Sequence, residues 1–544
     1  MCMWRKACAA AAGTLFLPAA ALAAQPAATP LDGRPPLAPG SSEREPLPDP
    51  ETNSLSFGKV DLGARPDVTI REIRFVGAGV PANVARAAQR FVGKRASADN
   101  LAKLAAAMTR AYNRSSVALF TLVIPEQDLS EGVVTVASAE GHVGAVTLSG
   151  EKEGGPAPLI EKMAAPLRSQ QPLPRARFER ALGNIGDVPG VTVTPTLALG
   201  SEPGAVALDL ALDAKKPTIG LGFTTRTSPF VDDGIVEANA RGTSLLRSGD
   251  ETRLTGAAAL NLKSLLYIAA NHSTPIGADG TRFELTAAAL RTRPKGPAID
   301  GEAWSAGAGV THPLIRATRR NLIASARIDY LDSKNALFGS TIAAEKTWTA
   351  SGSLAFRLTE DRTVIGARIG GAKGLDIAGA RVDPGAGEAG FLYADASVEA
   401  NQAIGKVAVV RFAATGRWTR DRLPAAQRFS VGGASFGRAF DDGLVNGDRG
   451  VATFGEVAWR PLRGGKLAKS EIYTFADYAD ITLLERTAIP RSDFRLGSWG
   501  GGVRLSYAEN ATIGLEFTDA WKQPVAGFGQ DWRVALSWKL SIRP

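Results

Sequence analysis

Cysteine is confined to Cys2 and Cys8 in this 544-residue chain. Both fall in a stretch that reads as a cleavable signal peptide, so a mature protein without it has neither a disulfide nor a thiolate metal site. Histidine is almost as scarce. His142, His272 and His312 lie far apart, and none sits in a metal-ligand pattern such as HExxH. No metal, cofactor or catalytic constellation is expected, and an enzyme is not the expected reading. Long apolar runs are missing too: beyond the N-terminus none reaches the ~18 residues of a transmembrane helix. The net charge is +9, but lysine and arginine are scattered, with no basic helix or aromatic–basic motif. That argues against a nucleic-acid partner.

At the N-terminus, Arg5 and Lys6 precede an alanine- and leucine-rich core through Leu15, Phe16 and Leu17, and Ala21-Leu22-Ala23 supplies small residues for cleavage. Residues 1–23 therefore read as a signal peptide. Residues 24–66, beginning near QPAATPLDGRPPLAPGSSEREP, are too rich in proline and polar residues to bury a core and read as a linker.

A compact unit is expected over 67–140. Ile70, Ile73 and Phe75 open a strand; Val84, Ala88 and Phe91 sit at helical spacing; Ser97 to Asn100 open a second helix carrying Leu101, Leu104, Met108 and Tyr112. Strands follow near Leu119–Ile124 and Val133–Ala137. The same β-α-α-β-β order recurs over 141–216. Val143, Val146, Leu148 and Gly150 echo Ile70, Ile73, Phe75 and Gly77 at one offset of 73 (143 minus 70). Helical stretches around Leu159, Ile160, Met163 and Leu167, then Phe178, Leu182 and Ile185, lead to strands near Val191–Leu199 and Ala205–Leu212. This is repetition of a supersecondary unit.

From 217 to 544 the texture changes. Runs of roughly ten residues alternate apolar with small or polar, separated by turns of Gly, Asp, Asn and Pro. Trp348, Ala350, Gly352, Leu354 and Phe356 share one face; Thr347, Thr349, Ser351, Ser353 and Arg357 share the other. Sixteen such runs begin near 219, 234, 251, 264, 281, 302, 319, 346, 362, 388, 406, 449, 470, 497, 512 and 531. Strands with one lipid face and one wet face must close on themselves, because no backbone group can stay unpaired in a bilayer. Trp418, Trp459, Trp499 and Trp521 are placed near strand ends, suited to the membrane interface. A glycine run, Gly500-Gly501-Gly502, reads as close packing or lumen space rather than a phosphate loop.

One segment breaks the pattern: 422–449, with RFSVGGASFGRAFDDGLVNGDRG at its centre. It is too long and glycine-rich for a hairpin turn, and loops of that length are usually functional. It carries Phe436-Gly437-Arg438-Ala439-Phe440, and the thirteenth strand-like run, beginning near 470, carries Phe475-Ala476-Asp477. Arginine presents a planar fork that a carboxylate can accept in two places, so Arg438 and Asp477 are expected to pair. Phe475 shares the face of Asp477. Arg411, Arg417, Glu456 and Arg460 are expected to line the channel.

With those residues in view, the chain resembles the two-partner secretion transporters of the hemolysin-activator and filamentous-hemagglutinin-transporter type. Gly437-Arg438-Ala439-Phe440 matches that family's Val-Arg-Gly-Tyr/Phe loop motif in its arginine and aromatic, and departs from it at Gly437 and Ala439. Phe475-Ala476-Asp477 matches its Phe-x-Asp. The resemblance implies a membrane all-β fold: a 16-stranded transmembrane β-barrel preceded by two periplasmic α+β POTRA domains. It implies an outer-membrane pore of a Gram-negative bacterium that exports a large, hemolysin- or adhesin-like exoprotein captured unfolded in the periplasm. Outer-membrane lipid, lipopolysaccharide and the barrel assembly machinery are the other implied partners, with a monomeric barrel and no cofactor. A barrel insertase and a passive porin are the alternatives. The linker contains no convincing amphipathic helix to plug the pore, and the chain ends Ser541-Ile542-Arg543-Pro544 where the family commonly ends on an aromatic.

Overall fold

Alternation of period two dominates the computed structural model from residue 218 onward. The structure describes residues 65–150, 155–199, 204–227, 231, 234–293, 299–337, 340–383, 385–487, 489–508, 510–525 and 532–542. The signal-peptide and linker assignments and the two final residues lie outside these, apart from the first residues of a strand at 65–69.

Sixteen antiparallel strands form a closed barrel: β1 (Thr218–Thr224), β2 (Ile235–Thr243), β3 (Glu251–Ala259), β4 (Leu265–Pro275), β5 (Arg282–Thr292), β6 (Ile299–Arg316), β7 (Arg320–Leu337), β8 (Ser340–Glu360), β9 (Thr363–Leu375), β10 (Leu392–Ile404), β11 (Ala408–Thr419), β12 (Arg449–Trp459), β13 (Glu471–Leu483), β14 (Ser492–Tyr507), β15 (Ala511–Lys522) and β16 (Arg533–Ile542). A two-residue strand, Arg381–Val382, pairs with the outer end of β8. The barrel closes where Ser537–Ile542 of β16 meets Thr224–Ile219 of β1.

Register fixes which face each side chain takes. On the outside, Ile268, Trp304, Ile328, Trp418, Val457, Phe517 and Leu505 are exposed, a surface that only lipid would cover without cost. Trp418, Trp459 and Trp521 stand at or next to strand ends, whereas Trp499 pairs with Ala476 in mid-strand. An outer ladder of Trp304, Tyr330 and Trp348 has neighbouring centroids 4.8 and 4.9 Å apart. The inner face is polar or small. Gly500 and Gly502 of β14 face inward, where a Cβ would press on the rings of Phe475 and Tyr473. The glycine run is therefore close packing.

Two α+β units precede the barrel. In the first, strand Glu72–Gly77 pairs in parallel with Val133–Glu140, which pairs antiparallel with Phe120–Val123. Helices Ala82–Gln89 and Ala98–Tyr112 bury Val84, Ala88, Leu101, Leu104, Met108 and Tyr112 against the sheet. Ser97 caps the second helix by accepting from the Asn100 amide at 3.3 Å. The second unit repeats the topology with strands His142–Gly150, Ala205–Ala214 and Val191–Leu199, and helices Ala157–Ala164 and Arg175–Gly186. The echo of Gly77 in Gly150 has a physical cause. Both end the first strand with positive φ, +100° and +83°, and a Cβ at either would strike a neighbouring strand carbonyl, of Ser138 or Leu212.

The units are fused rather than strung. Ala118 and Leu119 of the first lie in the core of the second. The Ala118 amide donates to the Leu173 carbonyl at 2.9 Å, and Arg175 donates to the carbonyls of Ser115 (3.0 Å) and Val117 (2.9 Å). The second unit meets the barrel rim through Arg316, whose Nε and Nη2 donate to Asp187 at 2.6 and 2.9 Å, and through Asn184, which donates to the Asp279 carbonyl at 2.9 Å. Only residues 215–217 separate its last strand from β1.

Candidate functional site: the inward loop and its charge cluster

Between β11 and β12, residues 420–448 fold into the barrel. The segment needs backbone freedom and an apolar footing, and the sequence supplies both. Strands Phe429–Val431 and Val445–Gly447 pair as a small hairpin. Gly432, Gly433 and Gly437 take positive φ at its turns. Phe429, Val431, Ala439, Phe440 and Val445 bury against Ala452, Ala479, Ile481 and Leu496 of the inner wall. Gly437 occupies the position where the resembled motif has valine. Its φ of +75° lets the chain turn Arg438 toward the wall.

Arg438 is 3% exposed. Its guanidinium lies between two rings, 4.3 Å from the Phe454 centroid and 4.4 Å from that of Phe475. Nη1 donates to Glu516 at 3.1 Å and to Glu456 at 3.4 Å, and Nε donates to the Ala434 carbonyl at 3.0 Å. Asp477 faces the lumen as expected, but it does not take the fork. Asp477 Oδ2 accepts the backbone N–H of Arg438 at 3.1 Å, while Oδ1 accepts Ser498 N–H and Oγ–H at 3.2 and 2.5 Å. The expected side-chain pair is thus a side-chain-to-backbone clamp. The reason is reach: the guanidinium extends past Asp477 to carboxylates on β12 and β15. Phe475 serves as a stacking surface for the arginine.

The surrounding cluster is continuous. Glu456 accepts Arg504 through both oxygens at 2.7 Å and Arg411 at 2.7 Å. Glu471 accepts Arg411 at 2.7 and 3.0 Å, Arg460 at 3.0 Å and Arg504 at 3.2 Å. Glu516 accepts Tyr473 at 2.6 Å and pairs with Arg226, which also donates to the Arg438 carbonyl at 2.7 Å. Arg226, Arg411, Arg438, Arg460 and Arg504 thus share Glu456, Glu471 and Glu516. Arg411 and Glu456 are 8% and 2% exposed, so they belong to a buried network rather than to an open hydrated lining. Arg417 does sit on the inner wall, stacked 3.9 Å from the Tyr393 ring and donating to the Gln427 carbonyl of the loop.

A second cluster at the base of the loop was not expected from the sequence. Asp448, 0% exposed, accepts the amides of Leu423 and Leu484, both at 2.7 Å, and Arg486 at 2.7 and 3.0 Å. Arg486 also donates to the carbonyls of Leu423 (3.2 Å) and Ala386 (3.0 Å). Three loops, 376–391, 420–448 and 484–491, meet on this one ion pair. Glu516 and Arg504 were missed as well, although strand parity alone puts both on the wet face with Tyr473. Among the described residues no His, Cys, Asp and Glu group is suited to a metal. The geometry fastens a loop inside a barrel.

Residues 268–505 match the profile of the haemolysin secretion/activation proteins ShlB/FhaC/HecB, and residues 68–141 match the ShlB-type POTRA domain. The chain belongs to the ShlB/FhaC/HecB family. Its outer-membrane β-barrel class and its two POTRA-like units follow from that membership and from the fold. Among curated relatives, the chain is similar to the heme/hemopexin transporter protein HuxB of Haemophilus influenzae. It is 23% identical over 231 residues to the protein of strain 86-028NP, covering 42% of this chain and 41% of the relative. To that of strain Rd it is 22% identical over 274 residues, covering 47% and 48%. The chain thus spans less than half the length of the curated relatives it matches. Solved structures agree in fold: CdiB from Escherichia coli, with TM-score 0.69, 18% identity and coverage of 90% of this chain and 93% of that one, and CdiB from Acinetobacter baumannii, with 0.62, 18%, 91% and 94%. BamA from Haemophilus ducreyi, lacking POTRA domains 1–3, follows at 0.53, 12%, 87% and 100%.

Proposed function

We propose that this ShlB/FhaC/HecB-family barrel exports a partner exoprotein across the outer membrane, with the POTRA-like units in the periplasm and the loop around Arg438 as the movable part of the channel. The observation that carries this reading is the loop itself. A chain segment that fills part of an aqueous barrel, fastened by a small apolar footing together with polar contacts, is suited to hold the pore shut and to yield. Arg438, with Phe440 and Ala439 on the apolar side and Asp477 and Phe475 beneath, is its anchor; Arg411, Arg417, Glu456 and Arg460 brace the wall behind it.

In this mechanism an unfolded client pairs with an exposed edge strand of a POTRA-like sheet. Backbone pairing of that kind tolerates many sequences. The client then threads the lumen as an extended chain while the loop shifts, and folding outside prevents return. No cofactor enters this scheme. The test compares culture supernatant and outer membrane with and without the gene. Loss of one large secreted protein, with other barrels unchanged, is the expected result. Depleted outer-membrane barrels with normal secretion would make the protein an insertase. Altered small-solute uptake alone would make it a porin.

A further inference from the structure

Scattered along the sequence, the cations of residues 82–114 converge once the first unit folds. The segment holds five arginines and two lysines against one carboxylate, Asp99. Helix Ala82–Gln89 buries Val84 and Ala88, and helix Ala98–Tyr112 buries Leu101, Leu104, Met108 and Tyr112. Arg86 on the first, and Lys103 and Arg110 on the second, fall on the opposite, exposed faces. The helices run antiparallel, the start of one lying beside the end of the other where Asn83 donates to the Ala111 carbonyl at 2.7 Å. The two cationic rows therefore lie side by side. Arg90, Lys94 and Arg95 extend them through the exposed turn between the helices.

The fold does not require this charge. The repeat offset of 73 maps 82–114 onto 155–187 of the second unit, which sets three carboxylates, Glu161, Glu179 and Asp187, against its five cations. Three of those cations are tied into the structure: Arg168 donates to the Val146 carbonyl at 3.0 Å, Arg175 to that of Val117 at 2.9 Å and Arg180 to that of Leu314 at 3.1 Å. In the first unit Arg86 bonds only to Ala82 of its own helix, Lys103 pairs with Asp99, and Lys94 stands over the Phe91 ring. The guanidinium groups of Arg90, Arg95, Arg110 and Arg114 have no partner among the described residues. Like charges gathered in this way repel and destabilise the compact state, and an anionic partner removes that repulsion.

Two features favour a polypeptide over a membrane. Of the large apolar residues in the segment only Val92 is exposed (38%). Ala82, Ala102 and Ala106 are what lies among the cations, so no apolar face is available to enter lipid. The barrel rim, moreover, is met by the second unit, through Asp187 and Asn184. Arginine forks match carboxylates with two parallel bonds.

We propose that the helical face of the first POTRA-like unit, with Arg86, Arg90 and Arg110 at its centre, docks an acidic stretch of the unfolded client. That the occupant is a client rests on the export reading; the acidic character rests on the face itself.

The experiment uses the full-length protein in detergent and a fluorescein-labelled (Glu-Gly-Ser)5 peptide, with affinity read by anisotropy. An exposed ion pair contributes roughly two- to threefold in affinity, so R86Q/R90Q/R110Q is expected to weaken binding about tenfold. K162Q/R177Q in the second unit is expected to leave it unchanged. Wild type should bind the (Gln-Gly-Ser)5 peptide at least about tenfold more weakly, and should lose the acidic peptide as salt rises toward 1 M, where screening reaches ~3 Å. These two arms hold even should the triple variant misfold. Equal affinity of variant and wild type, equal binding of the two peptides, or indifference to salt overturns the proposal. So does displacement of the peptide by short-chain phosphatidylglycerol at equal or lower concentration, which would assign the face to lipid. Failure of the export reading is seen separately: deleting the gene would then leave secretion intact, while R86Q/R90Q/R110Q still lost the peptide.

Discussion

Exchanging the charges of Arg438 and Asp477 will not restore the wild-type barrel, because the two side chains are not paired with each other. Arg438→Ala removes a buried cation from Glu516 and Glu456 and leaves two rings without their stacking partner. Breaking a buried pair costs ~3–5 kcal/mol. Asp477→Asn keeps the shape and weakens three accepted hydrogen bonds, those from Arg438 N–H and from the Ser498 amide and hydroxyl; a loss of about 1–2 kcal/mol is expected from the difference between charged and neutral bonds. The double exchange R438D/D477R sets a carboxylate beside Glu456 and Glu516 and a guanidinium against two amide donors, so each error stands alone. The double-mutant cycle R438A/D477N should therefore give a coupling within about 0.5 kcal/mol, whereas R438A/E516Q should couple by at least ~1 kcal/mol. Urea-gradient unfolding in detergent, read by tryptophan fluorescence, measures both. Planar-bilayer recordings report the same ordering as loop release, with R438A open more often than D477N. Recovery of wild-type stability or closure by the exchanged pair would refute the assignment of Glu516 as partner.

Asp448→Asn should destabilise the barrel mouth opposite the POTRA-like units by ~3–5 kcal/mol by leaving Arg486 buried without its counter-ion; limited proteolysis within 420–448 at rising urea reads the loss. Gly77→Ala and Gly150→Ala should each lower the first thermal transition of the full chain by several degrees, since each adds strain and a backbone clash. An unchanged melt would discount the shared role of these glycines. Arg316→Ala should loosen the second unit from the rim by ~1 kcal/mol, the pair being partly exposed; a broadened spin-label distance between residues 187 and 316 in R316C/D187C would not report this, so labels belong at exposed Lys162 and Arg319. Burial, and then the negative charge of Glu140, pushes the Tyr112 phenol up to about 12 from 10. The folded state prefers the neutral phenol, so this contribution to stability is intact below pH 10 and is lost as pH rises from 10 toward 12. Tyr112→Phe should flatten that part of the alkaline melting curve.

The barrel was legible because its physics is periodic. Lipid on one side and water on the other impose period two, and each of the sixteen runs expected from that period corresponds to a strand, with starts mostly within a few residues. The largest slips are at β8, which begins at Ser340 rather than near 346, and at β14, which begins at Ser492 rather than near 497. These strands run into loops whose polarity matches their outer ends, so alternation gives no edge there. The position of Arg438 was legible from its isolation among aromatics and glycines. Its partners were not. Which carboxylate a long arginine reaches depends on where the backbone turns at Gly437, and no spacing rule encodes that. Asp448 and Arg486 were hidden for a related reason: both lie in loops, and only the folded mouth brings 423, 448, 484 and 486 together.

The junction of the two POTRA-like units makes the part of the chain before the barrel a stiff arm. With Leu119 seated in its neighbour's core and Arg175 clamping the seam, there is no slack in which a pull on the outer unit could dissipate. The arm ends three residues before β1, and β1 is half of the joint that closes the barrel, held to β16 over Ile219–Thr224 and by Thr225 on Leu536. A tug on the far end of the arm is delivered as torque at that joint, with Arg316 and Asp187 acting as the fulcrum.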